Sequence, residues 1–183
     1  MKKTILTFGL ISGAIMAAMM FATLPFMHKI GFDKGAIVGY TSMVLSFLLV
    51  FFGIRSYREN IAGGTITFGR AFAIGILITL ISCICYVVAW EIIYFKFMPD
   101  FADKYASYVI EKAKAAGASQ QVINAQVQQM KGLKAMLDNP FINAALTFTE
   151  PFPVGLIITL VSALILRRKN KPQSGQSPVT AEA

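Results

Sequence analysis

Two carboxylates, Glu91 and Glu150, stand inside long apolar stretches, and the sole histidine, His28, closes another. An ionisable side chain in such surroundings is costly unless it meets water, a counter-charge or a proton, so these positions are where chemistry is sought first. Glu150 has the most unusual neighbours, in the run Thr149-Glu150-Pro151-Phe152-Pro153. Proline lacks a backbone donor and crowds the preceding turn, and the residue before a proline resists helical geometry. Pro151 and Pro153 together therefore predict a helix kink or break at Glu150. Broken helices that carry a charge build ion and substrate sites in transporters. On that pattern Glu150, with Glu91 and His28, lines an outward-facing polar pocket for a proton or a cation. The plainer alternative is a proline kink whose glutamate reaches interfacial water or Lys96, and both stay open at this point.

Depth bears on that choice. At about 1.5 Å per helical residue the run from Arg70 to Glu91 measures about 32 Å, and that from Glu150 to Arg167 about 25 Å. The hydrocarbon core of a bilayer is about 30 Å thick. Glu91 thus falls at the outer boundary beside Trp90 and Tyr94, which suit an aromatic belt. Glu150 falls about 5 Å inside the core. Other chemistry has little to stand on. A metal site from His28, Glu91 and Glu150 would have one histidine and no Cys/His spacing pattern behind it. No glycine-rich phosphate loop is present, and no Ser, Cys or Thr occupies a nucleophile elbow. Cys83 and Cys85 are two apart in one apolar stretch, point to nearly opposite helix faces and cannot bridge each other. No cofactor, no metal and no enzymatic activity is expected.

The elements that must position these residues are membrane spans. The chain has 183 residues, 56% hydrophobic and 14% charged. Soluble domains are nearer about 45–50% apolar and about 25% charged, and a short chain has too little interior to hide that excess. Four apolar blocks, about 4–27, 35–54, 71–96 and 141–166, each reach the roughly 20 residues that a crossing helix needs. The first is too long for the apolar core of a signal peptide and is read as a retained helix. The net charge of +8 is placed by topology rather than by nucleic acid. Lys2, Lys3, Arg55, Arg58, Arg70, Arg167, Arg168, Lys169 and Lys171 collect on one side if both termini face the cytoplasm. Small residues four apart supply packing faces: Gly9 with Gly13, Gly35 with Gly39, and Gly75 between Ala71 and Thr79. Such rows let helices approach closely within the bundle, or between copies in a homo-oligomer.

Between the third and fourth spans, residues 99–140 read as a helical hairpin on the far side. Phe101, Tyr105, Tyr108 and Val109 form one stripe, and Ile123, Val127, Met130, Leu133, Met136 and Leu137 a second. Gly117 and Ser119 mark the turn between them. The two stripes either pack on each other or meet a membrane surface or protein partner. Gly63-Gly64 signals a turn in the inner loop, and Thr67 is placed to cap the third span. Residues 1–169 form one membrane domain, and 170–183 read as a disordered cytoplasmic tail.

The order of features also carries a resemblance. Thr65-Ile66-Thr67-Phe68-Gly69-Arg70-Ala71-Phe72 leads into the third span and Phe97-Met98-Pro99-Asp100-Phe101 leaves it. Gly117-Ala118-Ser119-Gln120-Gln121 makes the hairpin turn, and a basic cluster ends the fourth span. Over about residues 1–169 this resembles the bacterial membrane family catalogued as domain of unknown function 4199. The resemblance implies four spans in a bacterial inner membrane and supplies neither an activity nor site residues. The expectation is therefore an all-α membrane protein, a four-helix bundle with an extracytoplasmic hairpin. It would serve as a non-enzymatic structural, assembly or regulatory subunit of the cell envelope that works through lipid and protein contacts. The alternative is a small transporter or proton- or cation-conducting subunit that uses Glu91 and Glu150.

Overall fold

A computed structural model describes residues 1–168. The side chain of His28 and the tail at 170–183, with Lys169, lie outside the described residues. Among those described, four helical stretches are long and apolar enough to cross a membrane. The first is α1, Lys2–Thr23. It stops four residues short of the expected end because Pro25 follows in a single 3₁₀ turn, Leu24–Phe26. The second, α2, runs from Met27 to Asn60 with a kink at Gly31, where φ is 73°. That backbone angle costs glycine nothing and other residues a good deal. This helix is longer than the apolar block because Arg55 and Glu59 continue it as an ion pair of 2.9 Å one turn apart.

The third span is α3, Phe68–Ile92, continued by a wide π turn at Ile93–Phe97. Thr67 caps it by accepting from the Arg70 amide at 3.4 Å. The hairpin follows as α4, Phe101–Ala115, and α5, Gln120–Leu137. Gly117 turns the chain at φ 74°, and the Ser119 hydroxyl accepts from the Val122 amide. The fourth span is two helices, α6, Pro140–Phe148, and α7, Pro151–Leu166. Asn139 caps α6 by accepting from the amides of Phe141 and Ile142 at 3.0 and 3.3 Å. Pro140 sits at the first helical position, where its missing donor is harmless. Asp138-Asn139-Pro140 therefore ends the hairpin and also starts the last span.

The axis of the bundle is α3, which packs on α1, α2, α6 and α7. Its row Ala71, Ile74, Gly75, Ile78, Thr79 and Ser82 is buried. A Cβ at Gly9 would stand 2.8 Å from Ile81 Cβ, one at Gly13 2.5 Å from Cys85 Cβ, and one at Gly75 2.7 Å from Thr159 Cγ2. Gly53 and Gly155, which the spacing-of-four search passes over, are crowded in the same way by Ile78 and by Thr79 and Phe47. Hydroxyls tie the close faces together. Ser12 donates to the Ser46 carbonyl at 3.0 Å, Ser82 to the Gly9 carbonyl at 3.2 Å, and Thr79 and Thr159 share a bond of 3.0 Å.

Gly35 and Gly39 do not pack helices within the bundle, which corrects the first of the two expectations for such rows and leaves contact between copies as the other. A Cβ at Gly39 meets nothing within 4 Å, and one at Gly35 meets only the Met27 sulfur at 3.6 Å. The neighbouring helix lies too far away for their smallness to bring backbones together.

The two ends of the bundle are finished differently. At the end bearing the termini, Ile66 and Arg168 exchange backbone bonds of 2.9 and 3.1 Å, and Arg58 donates to the Leu166 carbonyl at 3.3 Å. At the other end the two hairpin helices are bound by Lys134 and Asp103 at 2.6 Å. The hairpin is seated on the α1–α2 turn. Phe32 meets the rings of Phe101, Tyr105 and Tyr108 at centroid distances of 5.8, 5.4 and 5.1 Å. Lys112 pairs with Asp33 at 2.9 Å. The hydrogen bonds to Asp33 and Tyr108 hold the Lys112 ammonium up at about 12. Hydrogen bonds with Tyr108 and Lys112 hold the Asp33 carboxyl below the usual carboxylate range. This contact is therefore made across the neutral range, is lost on the acid side as Asp33 takes up a proton, and is lost on the alkaline side as pH rises through about 12. The α4 stripe is thus turned onto α2 and α3, and α4 and α5 pack on each other.

Gly75→Ala should lower the stability of the detergent-solubilised protein by about 1–3 kcal/mol through overpacking, whereas Gly39→Ala should cost nothing. Thermal unfolding of the two variants checks this, and equal effects would mean that α3 does not use Gly75 for close approach.

Candidate functional site

The divided fourth span opens the bundle at its hairpin end. In the half near the termini α2 packs on α7. Beyond the break α6 stays with α3, and a cavity of about 490 Å³ lies between the outer parts of α1, α2, α3 and α6, with α4 and α5 across its end. Glu150 is at its wall, at the junction of α6 and α7. The 16 residues of α7 rise about 24 Å from the terminal end, which puts this carboxylate some four-fifths of the way across a core of about 30 Å.

Glu150 has a specific partner. The Tyr86 hydroxyl donates to its Oε2 at 2.9 Å. Tyr86, Trp90 and Tyr94 stand four apart and share one face of the third span. Each of the three makes a polar contact towards the last part of the chain. Trp90 Nε1 donates to Asn143 Oδ1 at 3.0 Å, and Tyr94 donates to Asp138 at 3.1 Å. Asn143, fully buried, also donates to the Leu137 carbonyl at 2.9 Å and accepts from Thr147 at 3.1 Å. One amide thus joins α3, the end of α5 and α6, with both its oxygen and its nitrogen engaged.

Glu91 is not among the described residues that line the cavity. It follows Trp90 on α3 and is turned about 100° away from that face; its Oε1 is shielded and makes no hydrogen bond among the described residues. The expected pocket of two carboxylates is therefore one carboxylate and a tyrosine. Pro151 is buried at the start of α7 and Pro153 lies in its first turn. They leave Thr149 and Glu150 between the two helices, so the carboxylate stands at a helix junction. Gly35 and Gly39 line the cavity, where their missing side chains widen it.

The rest of the wall is apolar and soft. Five methionines, Met16, Met19, Met20, Met27 and Met43, line it, and aromatic rings reach it from Tyr40 and Phe101 as well as from Tyr86 and Trp90. Periodicity did not point to Tyr86 or Asn143. The signal that could have found them is a polar group in an uncharged stretch of the span, since such a group must find a partner within the protein. No group of three or more His, Cys, Asp or Glu that could hold a metal ion occurs among the described residues.

A family model described as "Protein of unknown function (DUF4199)" matches residues 7–168. The chain belongs to this family. The match spans all four membrane helices, the hairpin and the cavity, so the DUF4199 unit and the bundle are one object. No curated protein and no solved structure matches the chain.

Asn143→Leu strands the Trp90 indole N–H and the Leu137 carbonyl. At about 1–3 kcal/mol for each buried group left unpaired, this DUF4199 protein should unfold at lower temperature. Emission from Trp90, the only tryptophan in the chain, should shift as well. An unchanged melting curve and spectrum would show that α6 does not depend on this amide.

Proposed function

We propose that this chain is a non-enzymatic protein of the bacterial inner membrane that takes a small solute or ion into its hairpin-end cavity, as a small transporter or ligand-responsive subunit. The single observation that carries the reading is Glu150, hydrogen-bonded to Tyr86 at a break in a spanning helix and facing a cavity of about 490 Å³. Ligand sites usually enclose about 300–1,000 Å³, with a few polar groups on an apolar wall. Glu150 is exposed at the cavity wall, and an ionisable side chain within a spanning segment marks a candidate functional position. The reading as an assembly subunit loses support on the α4 stripe, which meets Phe32, Trp90 and Tyr94, while the α5 stripe keeps Met136 exposed. In this view Glu91 serves no part of the site.

Orientation belongs to the same proposal. Lys2, Lys3, Arg55, Arg58, Arg70, Arg167 and Arg168 gather at the end bearing the termini, which supports a cytoplasmic location for that end and an extracytoplasmic hairpin. A cysteine replacing Ala118 at the hairpin turn should react with a membrane-impermeant maleimide in spheroplasts, and one replacing Lys3 only after lysis. The opposite pattern overturns the orientation.

Function is tested by complementation of a deletion strain. Gly39→Leu fills the cavity where a Cβ meets nothing, and Glu150→Gln removes the charge while keeping an oxygen for Tyr86. Both should fail to restore the wild-type phenotype at wild-type membrane levels. Full rescue by both would remove the cavity from the function and return the assembly reading to first place.

A further inference from the structure

The wall of the cavity narrows what it can take. Among the described lining residues Glu150 is the only charged one. An anion would face that carboxylate without compensation. A neutral acyl chain would match the methionines and leave the Glu150 carboxylate, which is exposed at the wall, without a counter-charge. A divalent metal ion asks for about six oxygen ligands, and this wall offers one carboxylate and scattered hydroxyls. A small inorganic monocation would match the charge and leave most of the 490 Å³ without purpose.

An organic monocation satisfies both parts of the wall. Its charge can pair with Glu150, whose other partner, the Tyr86 hydroxyl at 2.9 Å, fixes the carboxylate in place. The faces of Tyr40, Tyr86 and Trp90 suit a positive charge spread over an ammonium or phosphonium, because an aromatic ring is electron-rich on its face. Its apolar body can then lie among Met16, Met19, Met20, Met27 and Met43. Thioether side chains are unbranched and polarizable and adapt to irregular shapes, which favours a class of ligands over one rigid molecule. We infer that the hairpin-end cavity binds amphipathic organic monocations, with the cationic centre at Glu150 and the apolar body on the methionine wall. This rests on the cavity reading and goes one step past it.

The test uses a pair of ions with one shape and opposite charge, tetraphenylphosphonium and tetraphenylborate, added to the full chain in nanodiscs. Binding is followed by equilibrium dialysis and by Trp90 emission. The phosphonium should bind saturably, and the borate at least about tenfold more weakly. Glu150→Gln should weaken phosphonium binding about tenfold and bring the two ions close to parity, and Tyr86→Phe should weaken it less. Melting temperatures show whether each variant is folded, and Tyr86→Phe keeps the comparison alive if Glu150→Gln is not. Equal binding of both ions that is insensitive to Glu150→Gln overturns the inference. If Gly39→Leu abolishes that equal binding, the cavity reading survives and only the cation class falls. Absence of phosphonium binding also overturns the inference, and complementation by Gly39→Leu then decides the cavity reading separately.

Discussion

Lipid gives two helices no hydrophobic reason to meet, because a hydrocarbon tail is as good a neighbour as a leucine. What holds a bundle together in that solvent is close packing and the pairing of polar groups that lipid cannot serve. The buried row along α3 answers both needs. Gly75 makes room for the Thr159 side chain and Gly155 for that of Thr79, which lets the third and fourth spans approach closely, and the two threonines hydrogen-bond across the same contact. Gly9, Gly13 and Ser82 repeat the arrangement towards the first span. Everything else, the seat of the hairpin and the cavity included, is arranged around an axis whose position this contact sets.

The same constraint explains where the fold was legible and where it was not. Length and apolarity identify a crossing helix directly, so the four spans could be read from composition. Turns announced themselves through Gly63-Gly64 and Gly117, and caps through Thr67 and Ser119, since each of those residue types satisfies a local backbone need. Span ends were harder. Arg55 and Glu59 extend α2 beyond its apolar part by pairing with each other, and Pro25 shortens α1; neither effect is a matter of hydropathy. The glycine pairs show the sharpest division. Gly9-Gly13 and Gly35-Gly39 look identical as strings, yet one pair meets a neighbouring helix and the other a cavity, because spacing along a helix says nothing about which faces are occupied.

The site was legible in half. Two prolines after Glu150 were enough to predict the interruption, because their effect on the backbone is local. Its companion could not be found in that way. Tyr86 and Glu150 are 64 positions apart, and their meeting depends on how α6 leans on α3 after the interruption. Glu91 looked like the natural partner on charge alone, and a rotation of one residue along α3 takes it off the relevant face. Asn143 sits behind this arrangement as a positioning residue. By engaging Trp90, Thr147 and the Leu137 carbonyl at once it fixes the lean of α6, and with it the side of the helix on which Glu150 emerges.

Below the level of Met43, the interior between α2, α3 and α7 is filled by Phe47, Val50, Ile54, Ile74 and Ile78, all fully buried. Under them, at the terminal end, the backbones of Ile66 and Arg168 pair in a single bridge. None of these side chains lines the chamber beside Glu150, whose described lining on α2 ends at Met43. On the reading proposed above, a guest entering from the hairpin side or sideways from the bilayer would leave the way it came, unless the plug of large side chains parts. Parting it would break the tightest glycine contacts in the molecule, which makes sensing, or exchange of a guest between lipid and one aqueous face, mechanically cheaper for this architecture than straight passage.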